Sequence, residues 1–198
     1  MLITVEGLDG AGKTTLVAGL AIALEERGQP VVILREPGGV EVSERIRELL
    51  KDPSLEIDPR AEALLYAAAR AQLVAQELRP LLEAGTTVLL DRFVDSSLAY
   101  QGAARGLGVE EIRTLNAFGT GGLTPDRTLL LRIDPEVGRG RIADREHDRL
   151  ELEDAAFFSR VVAAYDALAA AEPDRIAVID AAQPPEAVLA DAVAALSQ

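Results

Sequence analysis

Two stretches of this chain carry residue types in a spacing that suits chemistry on phosphate. Gly7 to Thr14 reads GLDGAGKT, a match to the pattern G-x-x-x-x-G-K-[ST]. After a buried strand and before a helix, such a loop aims backbone N–H groups and the positive end of the helix at one anion. Lys13 then reaches the β and γ phosphates of a nucleotide, and the Thr14 hydroxyl is offered to Mg²⁺. The bland alternative is an accidental glycine turn, which needs no such flanking order. The second stretch is RGRIADREHDR, Arg139 to Arg149, with four arginines in eleven residues of a chain whose formal net charge is −13. It points to an anion met locally, although Asp144, Glu146 and Asp148 interleave with the arginines as they would in a salt-bridged solvent-facing helix.

A third candidate is VLLDR, where an apolar run ends in Asp91 and Arg92. The aspartate resembles that of a Walker B strand, on the Mg²⁺ side of a phosphate loop. Arg92 follows at the strand's C-terminal end, facing the crevice where α/β proteins bind ligands, and its fixed fork suits a phosphate. A solvated loop arginine, or one paired with a nearby carboxylate, is the competing reading.

These residues need elements to hold them. Leu2 to Glu6 is β-prone and is followed by the glycine loop and a helical pattern in Leu16, Leu20, Ala23 and Leu24. Gly28 and Pro30 end that helix, and VVIL (Val31 to Leu34) predicts a second buried strand. Helical periodicity returns in Val42, Ile46, Leu49 and Leu50, and a long helix is expected from about Arg60 to Glu83, closed by Gly85. TTVLLD predicts a third strand, with helices following at about 96–101 and 109–118. RTLLLRI (Arg127 to Ile133) is a fourth strand, and Asp134-Pro135 reads as an N-cap with proline at the first helical position. A helix at 153–172, a strand at 175–180 and an alanine-rich helix complete the chain. Strands alternating with helices imply an α/β fold, a five-stranded parallel sheet flanked by helices on both faces, in one domain spanning 1–198.

Composition narrows the chemistry. There is no cysteine and one histidine, His147, so thiolate sites and histidine clusters are ruled out. Only 4% of residues are aromatic and the charge is strongly acidic, which argues against a nucleic-acid partner. No apolar run approaches membrane-spanning length, and the first strand begins at residue 2 without a charged leader, so no membrane association and a cytoplasmic location are expected. A phosphate loop alone leaves open a motor or nucleic-acid-binding ATPase, a GTP-binding switch and a small-molecule kinase. No N-K-x-D motif follows any strand, which counts against the switch.

The motifs together select among these. VEGLDGAGKTT, REPGG after the second strand, LLYAAARAQ in the long helix, DRFVDSSLAYQG after the third strand, PEVGRGR and DRLE occur in this order over nearly the whole chain. In that order they resemble the bacterial thymidylate kinases. REPGG and DRFVDSSLAYQG separate that family from adenylate and guanylate kinases. The resemblance implies the P-loop nucleotide kinase fold, transfer of the γ-phosphoryl group of ATP to dTMP, Mg²⁺ as cofactor and a homodimer. It implies an ATP site at Gly7, Leu8, Asp9, Gly10, Ala11, Gly12, Lys13, Thr14, Thr15 and Arg141, and a metal site at Thr14 and Asp91.

On the acceptor side it assigns Asp9, Arg35, Pro37, Tyr66, Arg70, Arg92, Ser97, Tyr100 and Gln101 to dTMP. Asp9 lies by the sugar 3′-hydroxyl and the acceptor phosphate, and Arg92 on that phosphate. Tyr66 and Arg70 are one helical turn apart, so the ring can stack on thymine while the guanidinium bonds its carbonyl edge. Without the resemblance, they read as a core aromatic and a solvated arginine. Tyr100 falls where a ring crowds a 2′-hydroxyl, though an aromatic in an apolar helix also serves as packing. Some family members carry a basic residue in the phosphate loop and others in a mobile lid. Gly10 is neutral, so segment 136–149 is the expected lid, with Lys13, Asp9, Arg92, Arg141 and Arg145 as the catalytic set. Arg141 and Arg145 are expected one helical turn apart on one face, closing over the ATP phosphates; Arg141 could instead stack on adenine.

Overall fold

The computed structural model describes residues 1–196. Five parallel strands, β1 (Leu2–Gly7), β2 (Val31–Arg35), β3 (Thr87–Asp91), β4 (Arg127–Arg132) and β5 (Ile176–Asp180), form one sheet in the order β2-β3-β1-β4-β5. The helices are α1 (Lys13–Glu25), α2 (Glu41–Lys51), α3 (Pro59–Leu73), α4 (Arg79–Glu83), α5 (Val94–Ser97), α6 (Val109–Thr120), α7 (Pro135–Arg141), α8 (Ala155–Ala171) and α9 (Pro185–Ala195).

The central strands are apolar on both faces because helices cover both. Ile3, Val5 and Leu89 join the core packed by α1, α8 and α9, whereas Leu2, Val88 and Leu90 meet Leu73, Val74 and Leu78 on the opposite face. The period of two along a strand sends neighbours to opposite layers. β2 departs from the expected buried strand. It lies at the sheet edge, half-buried, with Ile33 50% exposed, since an edge strand has a neighbour on one side only.

Polar N-caps fix three helix starts. Asp58 accepts from Arg60 N at 2.8 Å, with Pro59 opening α3. Asp134 accepts from Glu136 N at 2.8 Å with Pro135 first in α7, as the sequence predicts, and Asp154 accepts from Phe157 N at 2.7 Å in α8. The long helix expected from 60 to 83 is interrupted by a π-helical turn at Val74–Leu78, and the helix expected at 96–101 is α5 continued by a π-helical segment, Leu98–Ala104. Periodicity does not reveal such a widening, because it inserts one residue without changing which residues are apolar.

α7 is the clearest correction. It ends at Arg141, with turns from 142, so Arg145 lies beyond the helix and does not share a helical face with Arg141. α7 instead rests directly on the phosphate loop. A Cβ at Gly10 would collide with the Gly138 carbonyl oxygen, and one at Gly138 would approach Asp9 O to 2.9 Å. The neutral residue at position 10 is therefore a steric requirement of this contact as well as a missing charge.

Candidate active site

The strand ends fix the site. β1 runs into the loop 7–14, and β3 pairs with β1 so that Asp91 lies beside Val5, and with β2 so that it lies beside Arg35. A cleft of about 600 Å³ opens over these carboxyl ends, as expected for a parallel sheet. Asp9, Gly10, Gly12, Lys13, Thr14 and Thr15 line it, and so do Arg35, Pro37, Tyr66, Arg70, Asp91, Arg92, Ser97, Tyr100, Gln101, Arg141 and Arg145. Gly7, Leu8 and Ala11 lie outside the lining: all three are buried, Leu8 and Ala11 in the core.

Lys13 folds back onto its own loop, donating to Gly7 O at 3.2 Å and Leu8 O at 2.9 Å. Burial pushes its ammonium pKa down, Arg92 adds to that, and Asp9, Asp91 and Glu6 oppose it. Its hydrogen bonds are to neutral carbonyls, weaker partners than a phosphate oxygen, and Asp9 Oδ1 stands further off at 3.7 Å.

Arg92 is the single non-glycine residue with positive φ (69°) among the described residues. Its guanidinium donates to Asp9 Oδ1 at 2.9 Å and to Ser96 Oγ at 3.1 Å, and stands 5.4 Å from the Tyr100 ring centroid. Burial works to raise the Asp9 pKa, but the charges of Arg92 and Lys13 outweigh it and hold the carboxyl well below its ordinary range. Beside the left-handed Arg92 stands Glu6, to which the sequence analysis gave no role. It is fully buried on β1, accepts from Phe93 N at 2.8 Å, Ser96 N at 3.3 Å and Ser96 Oγ at 2.5 Å, and receives Tyr165 OH at 2.9 Å. These bonds pin the residues after Arg92, and Arg92 N itself donates to Val5 O at 3.0 Å, so the strained conformation is held from both sides. A glutamate inside an apolar strand was the one available signal.

Arg70 lies on the cleft floor, 2% exposed. It donates to Glu36 Oε2 at 2.7 Å, Ser97 Oγ at 2.9 Å, Phe93 O at 3.0 Å and Asn116 Oδ1. The solvated-arginine reading is thereby excluded. Glu36, visible in REPGG but assigned no role there, keeps Oε1 buried without a hydrogen-bond partner. Burial pushes its pKa up to about 7, against the pull of Arg70. Ser97 and Gln101 are buried on one wall, Gln101 donating to Glu62 at 2.8 Å. Tyr100, 5% exposed, has a buried hydroxyl without a partner, and its ring packs edge-on against Phe157 and Tyr165, so packing and pocket functions coincide.

Arg35 is turned to Glu44 at 2.7 Å, and Pro37 O accepts from Arg47 at 2.7 Å. Arg47 and Lys51 also line the cleft; nothing in the α2 pattern distinguishes them from other exposed charges. Arg141 bridges the loop end of the cleft to the segment after β5, donating to Gly10 O at 3.3 Å and Ala181 O at 3.1 Å. Arg145 pairs with Glu151 at 2.5 Å, Arg139 lies 5.5 Å from the Phe158 ring centroid, and Arg149 pairs with Glu62 at 2.7 Å. The interleaved acids within 144–148 therefore do not consume the arginines; Asp148 binds Lys51 instead, at 2.8 Å.

The donors present suit Mg²⁺. Asp91 Oδ1 is buried without a hydrogen-bond partner, and the Thr14 hydroxyl opens to the same cleft. No group of three or more His, Cys, Asp or Glu side chains among the described residues could hold a metal alone. One carboxylate and one hydroxyl match the sparse protein ligation that this ion accepts when phosphates supply the rest.

The chain is 50% identical to a thymidylate kinase of Deinococcus radiodurans, over 100% of this chain and 97% of that one. It is 48% identical to one of Halalkalibacterium halodurans, covering 99% and 95%. The crystal structure of thymidylate kinase from Ehrlichia chaffeensis superposes with a TM-score of 0.82 at 31% identity, covering 100% of this chain and 98% of that one. With the thymidylate kinase family model also matching residues 5–192, the chain belongs to the thymidylate kinase family of P-loop nucleotide kinases.

Proposed function

We propose that this chain transfers the γ-phosphoryl group of ATP to dTMP, yielding dTDP and ADP. The observation that carries the reading is one continuous cleft: the phosphate loop forms one end, and Tyr66, Arg70, Ser97, Tyr100 and Gln101 form the other, with Arg92 and Asp9 between them. Members of the family transfer phosphoryl groups between nucleotides, generally with Mg²⁺.

In the proposed reaction an oxygen of the dTMP phosphate attacks the γ-phosphorus, and the bond from that phosphorus to the β–γ bridging oxygen breaks, releasing ADP. The attacking oxygen is already anionic, so no catalytic base is required. Lys13 leaves its loop carbonyls for the β and γ oxygens, within a cradle of N–H groups from Gly7 to Thr15. Arg92 holds the acceptor phosphate, and Asp9 keeps Arg92 aimed while facing the sugar 3′-hydroxyl. Arg35, by exchanging Glu44 for a phosphate, supports the same side, next to Pro37. Thr14 and Asp91 would hold Mg²⁺, which neutralises charge on the phosphates when bound. The segment 136–149 serves as the lid, with Arg141 over the donor phosphates or adenine and Arg145 released from Glu151 as it closes.

The reading extends to a homodimer: α3 and α6 pack together, and each leaves a large apolar side chain exposed, Leu64 at 57% and Phe118 at 90%. It also extends to a cytoplasmic enzyme that takes no nucleic acid or membrane partner, in keeping with the absence of cysteine, the charge of −13 and no described helix long and apolar enough to cross a membrane. The test is ³¹P NMR of the purified chain with Mg-ATP and dTMP. The reading expects γ-phosphate loss matched by a new dTDP β-phosphate signal; γ-phosphate appearing only as inorganic phosphate contradicts it.

A further inference from the structure

Glu62 is fully withdrawn from solvent, yet it does not line the cleft. Its carboxylate is shared among three side chains from different parts of the molecule. Oε1 accepts from Gln101 Nε2 at 2.8 Å and Arg105 Nε at 3.4 Å; Oε2 accepts from an Arg105 terminal nitrogen at 3.1 Å and lies 2.7 Å from one of Arg149. Gln101 faces the acceptor end of the cleft, whereas Arg149 closes the 136–149 segment. Arg149 also donates through Nε to Leu50 O at 3.2 Å, at the end of α2, and Arg105 pairs with Glu153 at 2.6 Å, just past the segment. Tyr66 lies one turn after Glu62 on α3 and lines the acceptor end. A buried carboxylate is tolerated only while its partners are in place, so displacing one of them disturbs the others.

Resting on the functional reading above, we propose that Glu62 is a positioning residue that ties the acceptor pocket to the lid, so that seating Gln101 and docking Arg149 occur as one event. The test is steady-state kinetics of the full chain as wild type, Glu62→Gln, Arg149→Gln and the double variant. Glu62→Gln can still accept from Gln101 but offers Arg149 no charge. Each single variant is expected to raise KM for dTMP and for ATP by about threefold or more and to lower kcat about tenfold, with the double variant no worse than the weaker single one. Effects that multiply in the double variant, or a Glu62→Gln defect confined to the dTMP KM, overturn the proposal. Arg149→Gln carries the test by itself if Glu62→Gln does not fold: Arg149 does not line the cleft, so an unchanged dTMP KM in that variant also overturns it. Wild-type turnover of dTMP in the same assay separates these outcomes from a failure of the functional reading.

Discussion

Arg92 shows how a single side chain is set to work. Its backbone is left-handed, its guanidinium is aimed by Asp9 and Ser96, and Glu6 holds the residues that follow it. In the proposed reaction the positive charge is therefore in place before substrate arrives, which costs no reorganisation at the transition state. Lys13→Ala and Arg92→Ala are each expected to lower kcat by about a thousandfold or more, with circular dichroism reporting that each variant is folded. Near-wild-type turnover in both folded variants would remove the site assignment. Glu36 gives a prediction in pH. Its folded pKa of about 7 lies above the ordinary value of 4.5, so the folded chain retains a proton that the unfolded chain releases. Its contribution is fully present below about pH 4.5 and is lost as pH rises through 7. The melting temperature of wild type relative to Glu36→Gln, followed by calorimetry from pH 4.5 to 8, should fall as pH rises; a flat difference would contradict it.

At the scale of elements, the phosphate loop and α7 are built as a pair. Gly10 and Gly138 meet backbone to backbone, so a methyl group on either one must part them. Gly138→Ala isolates the steric component, since Gly138 does not share the positive φ of Gly10. It is expected to raise the ATP KM several-fold with a smaller effect on the dTMP KM, read by initial rates; an unchanged ATP KM would mean that α7 does not help form the donor end. The same region marks the limit of what the sequence reveals. The strand–loop–helix at the N-terminus is legible because its signals are local: an apolar run, glycines and a 3.6-residue period. The contacts of segment 136–149 are not, because two of its arginines find partners far along the chain, Arg149 with Glu62 and Arg141 with Ala181 O, and no period or spacing records those contacts. Glu6 and Glu36 were left without roles although both stand in quoted motifs, because each acts through buried partners that no spacing records, Phe93 N, Ser96 and Tyr165 for Glu6 and Arg70 for Glu36.

Across the whole molecule, charge is sorted. The chain carries −13, yet eight basic and five acidic side chains line the cleft. A small polyphosphate entering the cleft meets local positive potential, while an extended polyanion meets the acidic exterior. The exposed Leu64 and Phe118 give the molecule-scale prediction: Phe118→Glu should shift the mass measured by light scattering from dimer to monomer, and a wild type already monomeric at tens of micromolar would end the dimer reading. The most direct measurement of the central claim is an ADP-release assay of the wild-type chain with Mg-ATP against dTMP, dUMP, dCMP, dAMP, dGMP and the ribonucleotides. The account predicts rapid turnover of dTMP, slower turnover of dUMP and background rates for the rest. Equal rates across the panel, or none with dTMP, would contradict it.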